Sequence, residues 1–126
     1  MTGSARARPR ILVVDDEQIM RDLLTLHLGS NGYDVVAAED AVVAGHIIVR
    51  DPPDLVVVDA EMPYMTGYEF VAALKSDPVT RDIPVVFLTT DSSVADHARR
   101  LGAAAYLNKP ITADRLLAVV SLLVPG

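Results

Sequence analysis

At 126 residues the chain has the length of one compact domain, enough for a single core and too short for a multidomain machine. Apolar residues at 51% against 22% charged exclude disordered, collagen-like and coiled-coil chains. A net charge of −6 repels phosphate backbones and anionic lipid, and the lack of cysteine excludes disulfides, thiolate metal sites and a thiol nucleophile, in keeping with a reducing, cytoplasmic location.

The opening MTGSARARPR has no apolar segment, and no later run approaches the ~20 residues that span a bilayer, so neither export nor a membrane partner is expected. Arg6, Arg8 and Arg10 lie beside Gly, Ser and Pro and read as a solvated lead-in rather than a nucleic-acid arm. Residues 1–9 are therefore a flexible lead-in, 10–124 the folded unit, and 125–126 its end or the start of a linker. Direct nucleic-acid binding by this chain is not expected.

Residues 11–14, 35–38, 55–58, 85–88 and, most weakly, 104–107 read as strands. Their Val, Ile and Leu run continuously instead of alternating, as in parallel strands covered on both faces. The first helix opens at Asp16 or Glu17, presents Ile19, Leu23 and Leu26 at helical spacing and stops at Ser30-Asn31-Gly32. The second, about 40–49, is unusually apolar all round, as if covered or bound by a partner, and ends before Asp51-Pro52-Pro53. A third helix is predicted over about 68–75, a fourth over about 92–101 ahead of Gly102, and a fifth over about 112–123. In the last, Leu116, Leu117, Val120 and Val124 form the inward stripe, leaving Arg115, Ala118, Val119 and Leu122 outside or on the flank. Strand and helix alternate five times, which predicts an α/β fold, a five-stranded parallel sheet doubly wound by helices. His27 reads as a structural histidine beside the first helix's apolar stripe, and His46 and His97 as solvated.

Ligands of such sheets bind beyond the carboxyl ends of the strands. Those ends read Val14-Asp15-Asp16, Val58-Asp59, Leu88-Thr89-Thr90 and Leu107-Asn108-Lys109-Pro110. Close carboxylates repel by roughly 4 kcal/mol per pair at an effective dielectric of ~20, so a cation has to hold them ionised. With no histidine or cysteine at these ends, zinc is disfavoured and magnesium, with manganese as substitute, fits an oxygen donor set completed by phosphate. Lys109 and the metal would neutralise the oxygens of a transferring phosphoryl group, with Thr89 offering a hydroxyl. Asp59, on the central strand, is then the nucleophile for an acyl phosphate. Any one of these aspartates alone would be read as a helix cap, Asp16 included; all four strand ends together are not explained by capping.

The segments ILVVDDE, DLVVVDAEMPYMTGYEF, IPVVFLTT and GAAAYLNKPI resemble the receiver domain of two-component response regulators, the CheY-like family, over residues 10–123. The resemblance implies a flavodoxin-like sheet, with Asp15, Asp16, Asp59 and the backbone carbonyl of Glu61 as magnesium ligands. It implies Asp59 as the acceptor of phosphate from a histidine kinase or phosphotransfer protein recognised by the exposed side of the first helix. Thr89 and Lys109 would contact the phosphate, and the Lys109-Pro110 bond would be cis. Thr89 and Tyr106 would form the switch that reshapes the face of helix 4, strand 5 and helix 5, the surface for a downstream protein, an effector or a homodimer. The chain departs from the family at Thr90, where a small residue is usual; Glu61, Thr90 and Asp91 occupy positions that tune phosphate lifetime. On this reading the chain is a signalling switch with slow self-dephosphorylation, not an enzyme. Its alternatives are the receiver of a longer transcription factor or output enzyme and, remotely, a magnesium-dependent phosphohydrolase. That last alternative lacks both a cap insertion and the second aspartate such enzymes place where Glu61 stands.

Overall fold

The computed structural model describes residues 8–62, 65–90 and 95–125. Ten elements follow in strict alternation: β1 (Arg10–Val14), α1 (Gln18–Gly29), β2 (Asp34–Ala38), α2 (Ala41–Arg50), β3 (Leu55–Asp59), α3 (Gly67–Ser76), β4 (Val85–Thr89), α4 (Ala95–Arg100), β5 (Ala105–Asn108) and α5 (Ala113–Leu123). The five strands pair in parallel in the order β2-β1-β3-β4-β5, the order shared by flavodoxin and CheY. The predicted α/β doubly wound sheet is the observed one.

Successive side chains of the central strands feed two cores. Leu12, Val14, Val56, Val58 and Phe87 pack with Ala44, Ile48, Phe70, Val71 and Ala98 of α2, α3 and α4. Ile11, Val13, Leu55, Val57, Val86 and Leu88 pack with Leu24, Leu28, Leu116 and Val120 of α1 and α5. This is why these runs are apolar without alternation: both faces of β1, β3 and β4 are covered.

β1 and β2 start one residue before their apolar runs because Arg10 pairs with Asp34. β3 and β4 end one residue later because Asp59 pairs with Leu88 and Thr89 with Asn108, and β5 is shifted by one from the predicted 104–107 because it is Asn108, not Ala104, that pairs. The start predicted for the fourth helix lies at residues 92–94, outside the described residues. The predicted face of α1 needs correction. Ile19, Leu23 and Leu26 are 82%, 39% and 61% exposed, and the buried residues are Leu24 and Leu28. The helix has two apolar stripes, and the one led by Met20 lies roughly 130° round from the one led by Ile19. The turn before the helix decides which faces inward: Asp15 Oδ1 accepts from the Glu17 amide (2.9 Å) and Arg21 Nη1 donates to the Asp15 carbonyl (2.7 Å).

Helix starts are set by side-chain caps at Asp40, Thr66 and Thr112, Thr66 forming a reciprocal capping box with Glu69. The corresponding position of α1 is Glu17, not Asp16, and it makes no side-chain cap. A Cβ at Gly67 would strike the Asp59 carbonyl oxygen and come within 2.9 Å of Ala60 Cα, so only glycine lets α3 start hard against the end of β3.

Arg6 lies outside the described residues and Arg8 is exposed. Arg10, by contrast, is the first residue of β1, its side chain bound to Asp34 and Asp51 and its amide to Asp54. On α2, Ala41, Ala44 and Ile48 are buried while Val42 and Val49 stay exposed. His46 and His97 are exposed, but His97 meets the Tyr68 ring edge-on at 4.5 Å between centroids. No helix among the described residues is long and apolar enough to cross a membrane.

Candidate functional site

The sheet order reverses direction at β1 and β3, and the crevice beyond their carboxyl ends is where the acidic residues meet. Backbone bonds carry the ladder past the strands and stiffen this rim: Asp15 N to Ala38 O (3.1 Å), Ala60 N to Leu88 O (2.8 Å) and Lys109 N to Thr89 O (2.7 Å). Asp15, Asp16 and Asp59 each present a carboxylate oxygen, all within 4.8 Å of one another. Asp15 and Asp59 are buried and Asp16 is exposed.

Asp59 Oδ1 accepts from two donors, the Glu61 amide (3.0 Å) and Lys109 Nζ (3.1 Å), and the described residues make no hydrogen bond to Oδ2. Asp15 Oδ2 is buried and takes no hydrogen bond from the described residues. Burial pushes the Asp15 carboxyl up from 3.8 to about 6, the Glu17 amide opposing the rise and the Asp59 charge adding to it. Burial raises Asp59 too, against the Glu61 amide and Lys109. Lys109 loses solvation, which alone would lower its pKa; the hydrogen bond and charge of Asp59, with Asp15 and Glu61 behind it, reverse this and hold the lysine above its usual value.

Three carboxylates against one ammonium leave the cluster short of positive charge, and like charges at such spacing repel by roughly 3 kcal/mol at an effective dielectric of ~20. The unpartnered Asp15 oxygen, the all-oxygen donor set and the deficit of charge all fit a hard divalent cation.

Of the other predicted residues, Thr89 ends β4 with a buried side chain. The Lys109–Pro110 bond is cis. Tyr106 is 36% exposed and stands at the edge of a pocket of about 280 Å³ lined by Ala98, Arg99 and Ala103 to Ala105. Asp91 lies outside the described residues. Glu61 and Thr90 touch: Glu61 Oε1 accepts from the Thr90 amide (3.1 Å) and hydroxyl (2.9 Å). Sequence reasoning missed Arg21, which braces the Asp15 carbonyl and is itself held by Gln18 Oε1 (2.8 Å). Its only signal was a cation one turn into a helix that follows an acidic pair. It also missed Gly67, although Thr66 and Glu69 at capping-box spacing mark the start of α3 there.

Residues 11–121 match the family model of the response regulator receiver domain. The chain is 36% identical over 117 residues to the DNA-binding dual master transcriptional regulator RpaA of Synechocystis, an alignment covering 91% of this chain and 48% of that protein. It is 40% identical over 116 residues to the response regulator MprA of Mycobacterium leprae, covering 90% and 50%. To the phosphate regulon transcriptional regulatory protein PhoB of Escherichia coli it is 40% identical over 111 residues, covering 86% and 48%. The chain thus spans about half the length of these relatives. Among solved structures, the Vibrio cholerae chemotaxis protein CheY4 aligns with a TM-score of 0.88 at 29% identity, covering 94% of this chain and all of that one. Sequence and fold agree from β1 into α5, and the chain belongs to the response regulator receiver domain family of two-component signalling.

Proposed function

We propose that residues 10–124 form a phosphoacceptor switch in which Asp59 takes a phosphoryl group from a phosphohistidine. An oxygen of the Asp59 carboxylate attacks phosphorus; the nitrogen–phosphorus bond of the donor breaks, its electron pair stays on the imidazole nitrogen, and an aspartyl phosphate forms. Asp59 Oδ2 is the candidate, since Oδ1 is already committed to Lys109 and the Glu61 amide. Asp15, Asp16, Asp59 and the Glu61 backbone carbonyl would hold magnesium, or manganese in its place, which when bound supplies positive charge to the phosphoryl oxygens. Lys109 supplies a fixed ammonium and Thr89 a hydroxyl at the same rim. Attack of water on phosphorus then releases phosphate and restores the carboxylate slowly, with Glu61, Thr90 and Asp91 setting the lifetime.

α1 is the docking face for a histidine kinase or phosphotransfer protein, a reading supported by the exposed apolar stripe Ile19, Leu23 and Leu26 that begins just past the acidic turn. Output runs through Thr89 and Tyr106 to the face of α4, β5 and α5, read by a downstream protein, a fused effector domain or a second copy. The net charge of −6 opposes nucleic-acid binding by this chain itself, and a cytoplasmic location goes with the role.

The observation that carries the proposal is the buried Asp59 carboxylate, tied through one oxygen to Lys109 and set within reach of two further carboxylates. Incubation with phosphoramidate and magnesium should add one phosphoryl group by intact mass, and chelator or Asp59→Asn should abolish the adduct. Equal labelling of that variant, or multiple turnover of a generic phosphoester, would overturn the assignment.

A further inference from the structure

Glu61 and Thr90 stand on the two loops that flank Asp59, Glu61 two residues past β3 and Thr90 immediately past β4. Both are exposed, and the strands beneath them are already joined by the backbone bond from Ala60 to Leu88, so their contact is not needed to close the sheet. Yet one glutamate oxygen accepts from two donors of the same threonine, at 3.1 and 2.9 Å, while Oε2 takes no hydrogen bond from the described residues. A glutamate on a surface loop ordinarily samples many rotamers; two donors converging on one oxygen hold this one beside the reacting carboxylate. Its charge is felt there, adding to the rise in pKa of both Asp59 and Lys109.

We propose that Thr90 pins the Glu61 carboxylate at the mouth of the Asp59 site as a charged gate that selects against small anionic phosphodonors. The proposal rests on Asp59 being the phosphoacceptor. A small donor brings negatively charged phosphoryl oxygens past a carboxylate that Thr90 keeps from swinging away, and has only the site's own cations to draw it in. A protein donor gains binding energy elsewhere, on surfaces such as α1, and is penalised less in total. Glu61 is the specificity-determining group, and Thr90 acts through it as a positioning residue.

Phosphoramidate labelling at saturating magnesium tests this. Glu61→Gln keeps the acceptor oxygen and removes the charge, and should label roughly three- to ten-fold faster than wild type, a gap that narrows as potassium chloride is added. Thr90→Val, which removes the hydroxyl and leaves the carboxylate on the backbone amide alone, should also label faster, by less than Glu61→Gln, and Thr90→Ser, which keeps the hydroxyl, should match wild type. The double variant Glu61→Gln, Thr90→Val should be no faster than Glu61→Gln alone, because the threonine has no charge left to position. An unchanged or slower Glu61→Gln, or gains that multiply in the double variant, would overturn the gate while labelling confined to Asp59 leaves the phosphoacceptor reading intact. Labelling that persists in Asp59→Asn would instead sink the reading beneath it.

Discussion

The Asp15 carboxyl is buried with one oxygen on the Glu17 amide and the other without a partner among the described residues, and burial raises its pKa in the folded chain from 3.8 to about 6. Between those values the native state binds more protons than the unfolded one, so the stabilisation is fully present below the lower value and lost as pH rises through the higher. The gap corresponds to stability on the order of 2–3 kcal/mol. Asp15→Asn retains an acceptor for the Glu17 amide and discards the charge. In urea unfolding at pH 8 with chelator it should be more stable than wild type by roughly 1–3 kcal/mol, with the advantage shrinking towards pH 4. Magnesium should stabilise wild type at pH 8 and do little for the variant. A variant less stable than wild type at pH 8 without metal would contradict this account. At this scale the sequence was readable where strand ends alone decide position: Asp15, Asp59, Thr89 and Lys109 each follow from the rim rule. The Glu61–Thr90 contact was not readable, because it depends on two loops meeting across space.

Helix α1 shows where patterning along the chain stops being decisive. Ile19, Leu23 and Leu26 satisfy helical spacing as well as Leu24 and Leu28 do, so periodicity predicts the helix but not its inward face. The choice is made by the turn from β1, in which Asp15 and Arg21 are tied by hydrogen bonds invisible in the linear pattern. The central strands posed no such ambiguity, since both their faces are buried and phase is irrelevant. On α5, where Leu116 and Val120 are fully buried and Leu122 is exposed, one apolar stripe dominates and its phase was legible. The two stripes of α1 should separate cleanly on truncation. Leu24→Ala and Leu28→Ala should each cost about 2–5 kcal/mol in urea unfolding, and Ile19→Ala and Leu26→Ala within about 0.5 kcal/mol of zero. A large loss at Ile19 would mean the helix is rotated from the orientation described.

Over the whole molecule, strand pairing and burial are uneven across the sheet. The strands β1 and β3 have a neighbour on each side and apolar side chains buried on both faces, whereas β5 pairs only with β4 and its Ala105 and Tyr106 are incompletely covered. Next to it, Ala98 on the six-residue α4 is buried while Asp96, His97, Arg99 and Arg100 are exposed. A segment with so few buried apolar contacts opens at a lower free energy than the core, which is the property the switch proposed for this face requires. Thr89 links the two regimes: its side chain is buried at the rim, and its carbonyl accepts from Lys109 just beyond β5. In native-state hydrogen exchange, the amides of β1 and β3 should exchange only through global unfolding, and those of α4 and β5 through local opening at lower free energy. Adding magnesium with beryllium fluoride, a mimic of the phosphoryl group on a carboxylate, should change protection in α4 and β5, while β1 and β3 continue to report the global value. Uniform protection across the sheet would remove the physical basis for placing the switch there, and a mimic that binds Asp59 without altering α4 or β5 would show that the signal leaves the rim by another route.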